Sequence, residues 1–342
     1  MHTIAVVIPV HSSEKRLHRL LQALSRQVRL PDEVIIAWNP VATGKASHEE
    51  DAHGKWDFPV RVVSNAVQSI PAALNKAIQT AQSELIVRLD ARSLPDTNYL
   101  QRCQDVLVST GAQVVGGRWN IQPEEQTATA RAIALAVAHP VCTGGVRYRR
   151  QTAAPSGEVD TVPYGCFRRS LWQKMGGFDE TLLFNEDYEF FWRVRSGGGG
   201  IFFDPSIRSV YFPRASHRAL MHQYFRYGWW KTQMLRRHPA SARARQLLPI
   251  AISAALGIAL ASSAFLPLAR FLTGATGLFY GCIVVGASVQ LAVRARDLGL
   301  LAPLLVTFVT IHISWCAGVW ANLIGRNVCG SWLTKTYRPE GR

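Results

Sequence analysis

The chain has 342 residues, of which 38 are Lys or Arg and 23 are Asp or Glu, giving a formal net charge of +15. Its mean hydropathy is nevertheless slightly positive, at +0.04. A chain this basic and this apolar cannot be one evenly mixed soluble domain, and its length allows two domains of about 100–200 residues each.

Charged and apolar residues are segregated along the chain. Residues 246–269, 271–293 and 298–325 carry no formal charge, and each run exceeds the ~18–20 residues that cross a hydrocarbon core. Buried core helices would have to pack with almost no polar face, so membrane helices are favoured. We predict a first domain over residues 1–240 and a membrane domain over 241–342, with spans near 247–267, 273–293 and 300–324.

Basic residues cluster just before the first apolar run. Nucleic acid is one interpretation of such a cluster, but a juxtamembrane segment facing anionic lipid explains it better, because an apolar helix follows. We therefore expect anionic membrane lipid and no nucleic acid as partner. The cluster comprises Arg208, Arg214, Arg218, Arg226, Lys231, Arg236, Arg237, Arg243 and Arg245.

The same bias predicts a multi-pass protein of the inner (plasma) membrane whose first ~240 residues stay in the cytosol, since the start of the chain lacks the basic region of a signal peptide. Three crossings would leave Arg326, Lys335, Arg338 and Arg342 outside, against the positive-inside bias. Either the tail is tolerated there, or one apolar run is re-entrant.

The first part of the chain alternates short apolar strands with helices. Such alternation predicts an α/β fold with a mainly parallel sheet, covered on both faces. The predicted strands are 4–8, 33–38, 60–63, 84–89, 113–119, 162–167, 200–203 and 207–211. The predicted helices are 17–28, 72–82, 96–108, 125–138 and 217–237. The segments 39–59 and 139–160 are predicted loops, and we expect the second to lie over a ligand-binding site.

Ligands of such sheets bind beyond the carboxyl ends of the strands. Pro9-Val10, Trp38-Asn39 and Asp90-Ala91-Arg92 follow predicted strands, so we expect them to share one crevice. A second polar stretch is Gly176-Gly177-Phe178-Asp179-Glu180, followed by Asn185-Glu186-Asp187. Asn185 can cap a helix there, and acids suit the positive end of the helix dipole; on its own, this stretch predicts only a helix start.

These motifs together resemble a family 2 glycosyltransferase with a GT-A fold. The motifs are Val6-Val7-Ile8-Pro9-Val10, Ala73-Leu74-Asn75-Lys76-Ala77, Val87-Arg88-Leu89-Asp90-Ala91, the two polar stretches above, and Gln223-Tyr224-Phe225-Arg226-Tyr227. They cover about residues 3–240, and the resemblance is strongest to the membrane-anchored glucosyltransferases of succinoglycan-type exopolysaccharide assembly.

The resemblance implies that Asp187 is the base that takes a proton from the acceptor hydroxyl, with Glu186 beside it. With one base and no second carboxylate nucleophile, the resemblance implies a single displacement with inversion at the anomeric carbon. The chemistry also needs positive charge on the departing diphosphate. The matching positions put Arg226, with Gln223 and Tyr227, at the acceptor and diphosphate.

The donor side carries the departures from the family pattern. Matching positions imply that the donor-binding residues are Pro9, Val10, Asn39, Asn75, Arg88, Asp90 and Arg92. Asn39 stands where the family usually has an Asp for the uracil, and Arg92 stands where the second Asp of Asp-x-Asp would be. Either Arg92 itself neutralises the diphosphate, or Asp90 alone holds a divalent cation (Mg²⁺ or Mn²⁺) with water and substrate oxygens.

The leading hypothesis is an enzyme that moves a hexose from a nucleotide-diphospho sugar, most simply a UDP-sugar, to a polyprenyl-diphosphate-linked glycan. Bacterial exopolysaccharide or cell-surface glycan synthesis is the expected setting. Two alternatives remain open: a polyprenyl-phosphate sugar synthase, and a catalytically degenerate protein that binds glycan or partner subunits.

Overall fold

The computed structural model describes residues 2–10, 14–38, 56–65, 69–151 and 154–325. The chain forms two compact units. The sheet unit holds residues 2–121 and 147–212, and the helical unit holds residues 122–146 and 213–325. The sheet unit is therefore interrupted by residues 122–146 and ends at residue 212, and the domain boundary at residue 240 stays a prediction. The predicted loop 139–160 is shared between the two units, and the predicted loop 39–59 lies mostly outside the described residues.

Parallel strands build the first half of the sheet, as the alternation predicts. The strands are β1 Ile4–Val10, β2 Glu33–Trp38, β3 Val60–Ser64, β4 Leu85–Arg88, β5 Ser93–Pro95, β6 Val114–Ile121, β7 Gly157–Glu158, β8 Cys166–Arg168 and β9 Ile201–Tyr211. Their order is β3-β2-β1-β4-β8-β6-β9-β5, with β7 paired to β9. Strands β1 to β4 pair in parallel, whereas β8 pairs antiparallel with both β4 and β6.

The second half of the sheet differs from the prediction in three places. Tyr164 has φ 62 and Gly165 φ 78, which breaks the expected strand 162–167, so that only β8 remains. The two strands expected at 200–203 and 207–211 are one strand, β9, and its pairing with β6 shifts register between Gly116 and Arg118. A Cβ on Gly117 would lie 1.8 Å from the Ile207 carbonyl oxygen, so glycine permits this bulge. Strand β5 was not predicted, because three residues ending in proline give no periodic signal.

The helices agree with the predicted ones to within a few residues. They are α1 Glu14–Ser25, α2 Ile70–Thr80, α3 Tyr99–Thr110, α4 Ala128–Ala138, α5 Pro140–Thr143, α6 Arg169–Lys174, α7 Glu186–Ser196, α8 His217–Arg237, α9 Ala244–Ser262, α10 Pro267–Arg294 and α11 Leu301–Ile324. Ser69 and Thr127 cap α2 and α4 by accepting backbone N–H bonds. Short α5 and α6 were not predicted. In the sheet unit, α2 and α7 pack on one apolar core with β1, β4 and β8.

The helical unit contains three helices that are long and apolar enough to cross a membrane: Ala244–Ser262, Pro267–Arg294 and Leu298–Ile324. These correspond to the three predicted spans, although the first ends at Ser262 and not near residue 267. Helix α4 belongs to this unit, where Ala132 and Ala136 pack against α10 and α11. Arg131 Nη1 of α4 also pairs with Asp297 Oδ2 at 2.7 Å.

Candidate active site

The carboxyl ends of β1, β2 and β4 meet at one edge of the sheet. Pro9 and Val10 lie opposite Ala37 and Trp38 in the parallel register. Beside them, the Leu89 amide donates to the Val7 carbonyl at 3.1 Å, which carries the chain directly into Asp90. The structure therefore brings predicted donor residues of β1 and β4 to one edge, whereas Asn39 lies outside the described residues.

Arg88 connects this edge to the start of α7. The residue is 5% exposed. Its Nη1 lies 2.9 Å from Glu186 Oε1, and its Nη2 lies 3.4 Å from Asp90 Oδ1. Asp187 also acts on the Arg88 charge. One buried guanidinium therefore pairs with two carboxylates from distant parts of the sequence, the predicted metal ligand Asp90 and Glu186, the neighbour of the predicted base.

Burial and neighbouring charge act on this group in opposite directions. Burial lowers the pKa of Arg88, but Asp90, Glu186 and Asp187 more than offset it, so the guanidinium stays charged. Burial raises the pKa of Glu186 to about 7, Arg88 opposes the rise, and Asp187 adds to it. Glu186 is 5% exposed whereas Asp187 is half-buried, so Asp187 is the more accessible of the two acids.

The start of α7 is built differently from the predicted cap. Asn185 occupies the cap position but has the left-handed conformation, φ 64 and ψ 21, and its side chain makes no capping hydrogen bond. The predicted side-chain cap is therefore wrong. Instead, the Tyr188 amide donates to Asp187 Oδ1 at 2.7 Å, which orients the carboxylate at the positive end of the helix.

Asn75 fixes the glycine turn that precedes α7. Its Oδ1 accepts from the Phe178 amide at 2.8 Å and from Trp172 Nε1 at 3.2 Å. Its Nδ2 donates to the Phe178 carbonyl and to Glu180 Oε1, both at 2.9 Å. Gly177 has φ 80, and a Cβ there would lie 3.0 Å from Asn75 Oδ1. Asn75 was predicted to bind the donor, but its side-chain hydrogen bonds are made with the turn.

Arg193 of α7 holds the same turn from the other side. Its Nε lies 2.6 Å from Glu189 Oε1, and Glu189 is 2% exposed. Its Nη2 donates to the Gly177 carbonyl at 2.7 Å, and its Nη1 donates to the Met175 carbonyl. The turn and α7 therefore form one braced element that presents Glu186 and Asp187.

An aromatic cluster that the sequence did not reveal lies beside Asp90. Trp119 stacks on Tyr211 with ring centroids 4.0 Å apart, and Tyr148 and Tyr164 pack against it. Burial raises the pKa of the Tyr164 hydroxyl, and the charge of Asp90 adds to this. Tyr211 pairs with Ser93, whose Oγ donates to the Asp90 carbonyl at 2.6 Å. The cluster therefore supports the turn that carries Asp90 and Arg92.

The chain matches the profile of the glycosyl transferase family 2 over residues 5–174, a stretch that includes β1 to β4 and Asp90. The chain belongs to glycosyltransferase family 2.

Two curated relatives and one solved structure agree with this assignment. The chain is 28% identical to the succinoglycan biosynthesis protein ExoA of Rhizobium meliloti (strain 1021) over 78% of this chain and 77% of the relative. It is 23% identical to the dolichyl N-acetyl-α-D-glucosaminyl phosphate 3-β-D-2,3-diacetamido-2,3-dideoxy-β-D-glucuronosyltransferase of Methanococcus voltae, over 69% and 75% of the two chains.

One similar solved structure is the mannosyltransferase PcManGT from Pyrobaculum calidifontis, in complex with GDP-Man and Mn²⁺. The superposition has a TM-score of 0.62 at 17% identity and covers 95% of this chain and 88% of that one. At that identity the likeness shows the fold, which is the predicted GT-A fold.

The glycosyltransferase offers few ligands for a resident metal. Among the residues that the structure describes, no three His, Cys, Asp or Glu side chains converge on a common point. Asp90 contributes one carboxylate, 38% exposed, at the strand end. Such a donor set fits a hard cation that is held mainly by diphosphate oxygens and water, because Mg²⁺ commonly uses only one or two protein carboxylates.

The predicted acceptor residues of this glycosyltransferase lie on α8, in the helical unit. Gln223 Nε2 donates to Tyr227 Oη at 2.8 Å, so these two side chains share one face of the helix. Arg226 is half-buried on the same helix. Gln223 and Tyr227 therefore form one pair on α8. They belong to the helical unit, whereas the predicted donor-binding residues that the structure describes belong to the sheet unit.

Proposed function

We propose that the protein is an inverting hexosyltransferase that moves a sugar from a nucleotide diphosphate to a lipid-linked glycan at the cytosolic face of the inner membrane. The observation that carries this proposal is the pairing of Arg88 with both Asp90 and Glu186, the residue that precedes Asp187. It joins the strand end where family members bind donor to the helix start that supplies the base.

In this mechanism Asp187 takes the proton of the acceptor hydroxyl. The hydroxyl oxygen attacks the anomeric carbon, the bond to the diphosphate oxygen breaks, and the nucleotide leaves as the diphosphate. The half-buried carboxylate is oriented by the Tyr188 amide, and pre-orientation of this kind lowers the barrier. Buried Glu186 acts as a positioning residue that fixes the first turn of α7 against Arg88.

On the donor side, Pro9 and Val10 face the nucleobase and Asp90 lies at the diphosphate. Asp90 would hold a divalent cation, which supplies positive charge to the leaving diphosphate. Arg92, two residues after Asp90 in the same turn, adds a fixed positive charge at the same place. We propose a UDP-sugar as donor, and the GDP-Man of the solved neighbour makes GDP-sugars the necessary comparison.

A lipid-linked acceptor is supported by the relatives. The name of the Methanococcus protein specifies a dolichyl-linked sugar phosphate, and the Rhizobium protein acts in succinoglycan biosynthesis. The apolar C-terminal helices of this chain would hold the active site at a membrane, where such acceptors reside. Gln223, Arg226 and Tyr227 are proposed to contact the acceptor and the diphosphate.

The decisive experiment compares Asp187→Asn with Asp105→Asn, a matched substitution of an exposed acid on α3. With membranes containing lipid-linked glycans, Asp187→Asn should lose sugar transfer by about 10²–10⁴-fold, the usual contribution of a general base, and Asp105→Asn should not. Thermal shifts with UDP- and GDP-sugars, with and without Mg²⁺ or Mn²⁺, should show that both variants still bind donor. Full transfer by Asp187→Asn would exclude it as the base.

A further inference from the structure

Tyr164 of the sheet unit has a backbone conformation that bulky residues rarely adopt. Its φ is 62, and the Gly165 amide donates to the Pro163 carbonyl at 2.7 Å across it. A turn that closes over three residues around a positive φ is the rare, strained form of the γ-turn. Such strain persists only where the surrounding structure imposes it. Backbone conformation alone would therefore favour glycine at this position.

The hydroxyl group of Tyr164 is a second unfavourable feature of the same residue. The residue is 4% exposed, and its hydroxyl oxygen is buried without a hydrogen bond of good geometry to any residue that the structure describes. A buried hydroxyl without such a bond destabilises the folded state. Phenylalanine would fill the same space without that cost. Packing therefore accounts for the ring and not for the hydroxyl.

Both unfavourable features lie beside the turn that carries Asp90. Strand β8 pairs antiparallel with β4, and the Arg88 amide donates to the Gly165 carbonyl at 3.2 Å. This pairing places Tyr164 opposite Leu89, the residue before Asp90. The cost of Tyr164 is therefore concentrated at the strand end where the donor is proposed to bind.

Ser93 connects the Tyr164 hydroxyl to the backbone of Asp90. Burial raises the pKa of Tyr164, the charge of Asp90 adds to the rise, and Ser93 opposes it as a hydrogen-bonding neighbour. The Ser93 hydroxyl donates to the Asp90 carbonyl at 2.6 Å, and the Ser93 amide donates to the same carbonyl at 2.9 Å. A serine hydroxyl that donates its proton can still accept another. Ser93 can therefore accept a hydrogen bond from the protonated Tyr164 while it holds Asp90.

We propose that Tyr164 is a positioning residue for Asp90: its hydroxyl donates to Ser93 Oγ and fixes the turn at which Asp90 meets the donor diphosphate and its cation. This inference rests on the proposed place of Asp90 in donor binding. Because the hydroxyl makes no bond of good geometry in the structure, its bond to Ser93 forms together with donor binding. The hydroxyl then contributes to donor affinity and not to the stability of the protein alone.

Tyr164→Phe tests this role, because it removes the hydroxyl and keeps the ring. Equilibrium binding of UDP, and in parallel of GDP, is measured on the purified full-length protein in detergent, with Mn²⁺ and with EDTA. With Mn²⁺, the Kd of the nucleotide that the wild type binds should rise about fivefold, the effect of one typical hydrogen bond. With EDTA, both proteins should bind alike, because Asp90 acts through the cation. Equal Kd values with Mn²⁺, or the same loss in EDTA, would overturn the proposal.

Tyr99→Phe is the matched control, because it removes the hydroxyl of another buried tyrosine of the sheet unit. Tyr99 is 2% exposed, and its hydroxyl lies beside Cys103. This substitution should leave the Kd unchanged both with Mn²⁺ and with EDTA. A fivefold rise in Tyr99→Phe as well would mean that any buried hydroxyl of this unit affects nucleotide binding, and Tyr164 would lose its specific role.

The melting temperature without nucleotide tests the proposal independently of the proposed activity. Tyr164→Phe should melt at the wild-type temperature or above it, because the substitution removes a buried hydroxyl that lacks a hydrogen bond. A lower melting temperature would show that the hydroxyl stabilises the fold itself and would overturn the proposal. The proposed activity fails by a different result, which is full sugar transfer by Asp187→Asn.

Discussion

Arg88 Nη1 and Glu186 Oε1 lie 2.9 Å apart, and both side chains are 6% exposed. This ion pair joins the end of β4 to the first turn of α7 across 98 residues of sequence (186 − 88). A buried pair of this kind contributes little net stability, but removing one partner is costly, because the other charge stays buried. Its effect is on geometry, because the pair holds the first turn of α7, which carries Asp187, against the end of β4.

Substitution of Arg88 therefore separates positioning from donor binding. We expect Arg88→Lys to lower kcat by about 10²-fold, the effect of a misplacement of about 1 Å, while the KM for the donor changes little. A lysine keeps the charge but cannot span both carboxylates with a planar fork. Steady-state kinetics of the purified protein in detergent, with acceptor lipid, measure both parameters.

Arg61→Lys is the matched control, because Arg61 also faces a buried acid, Glu33, but is itself 41% exposed. It should leave both constants unchanged. A rise in the KM for the donor at constant kcat in Arg88→Lys would instead show that Arg88 binds donor, as the sequence suggested.

The pKa of Glu186 predicts a pH dependence of stability. Its value is raised from 4.5 to about 7 by burial. Between these two values the folded state holds a proton that the unfolded state has lost, so the free energy of unfolding falls as pH rises. The loss approaches about 1.4 kcal/mol per pH unit at most, and it is complete once pH passes the folded value.

Glu186→Gln removes this titration. Chemical denaturation in detergent gives the free energy of unfolding of both proteins at pH 5 and pH 7.5. The value for the wild type minus the value for Glu186→Gln should be smaller at pH 7.5 than at pH 5. Glu180→Gln replaces an exposed acid of the preceding turn and should follow the wild-type dependence. Parallel curves for wild type and Glu186→Gln would mean that Glu186 stays ionised throughout.

The glycine turn before α7 gives a third prediction. Asn75→Ala leaves the Phe178 amide and carbonyl without their side-chain partners, and each unmet buried group costs about 1–3 kcal/mol. We expect a lower melting temperature and a lower kcat, because the turn positions α7. Asn98→Ala is the control, since Asn98 begins α3 without a side-chain capping bond. Equal melting temperatures for the two variants would contradict this role.

Local patterns in the sequence were enough for the elements and for the place of Asp187. Strands β1 to β4 are continuous apolar runs, and an Asn-Glu-Asp stretch before an apolar helix marks a helix start. The long-range partners were not predictable, because no local pattern links Arg88 to Glu186 or Asn75 to Phe178. The left-handed backbone of Tyr164 was equally hidden, since only tertiary packing makes a bulky residue adopt that conformation.

The contact between α8 and α11 gives the last prediction. Gly318→Ala places a methyl group where the Phe225 carbonyl oxygen lies 2.0 Å away, so the helices must separate. Overpacking of this kind costs about 1–3 kcal/mol, and we expect a lower melting temperature in detergent. Gly281→Ala in α10, with nothing within 4 Å of the added carbon, should be neutral or slightly stabilising, because alanine favours helix. If Gly318→Ala melts like Gly281→Ala, the two helices are not in backbone contact.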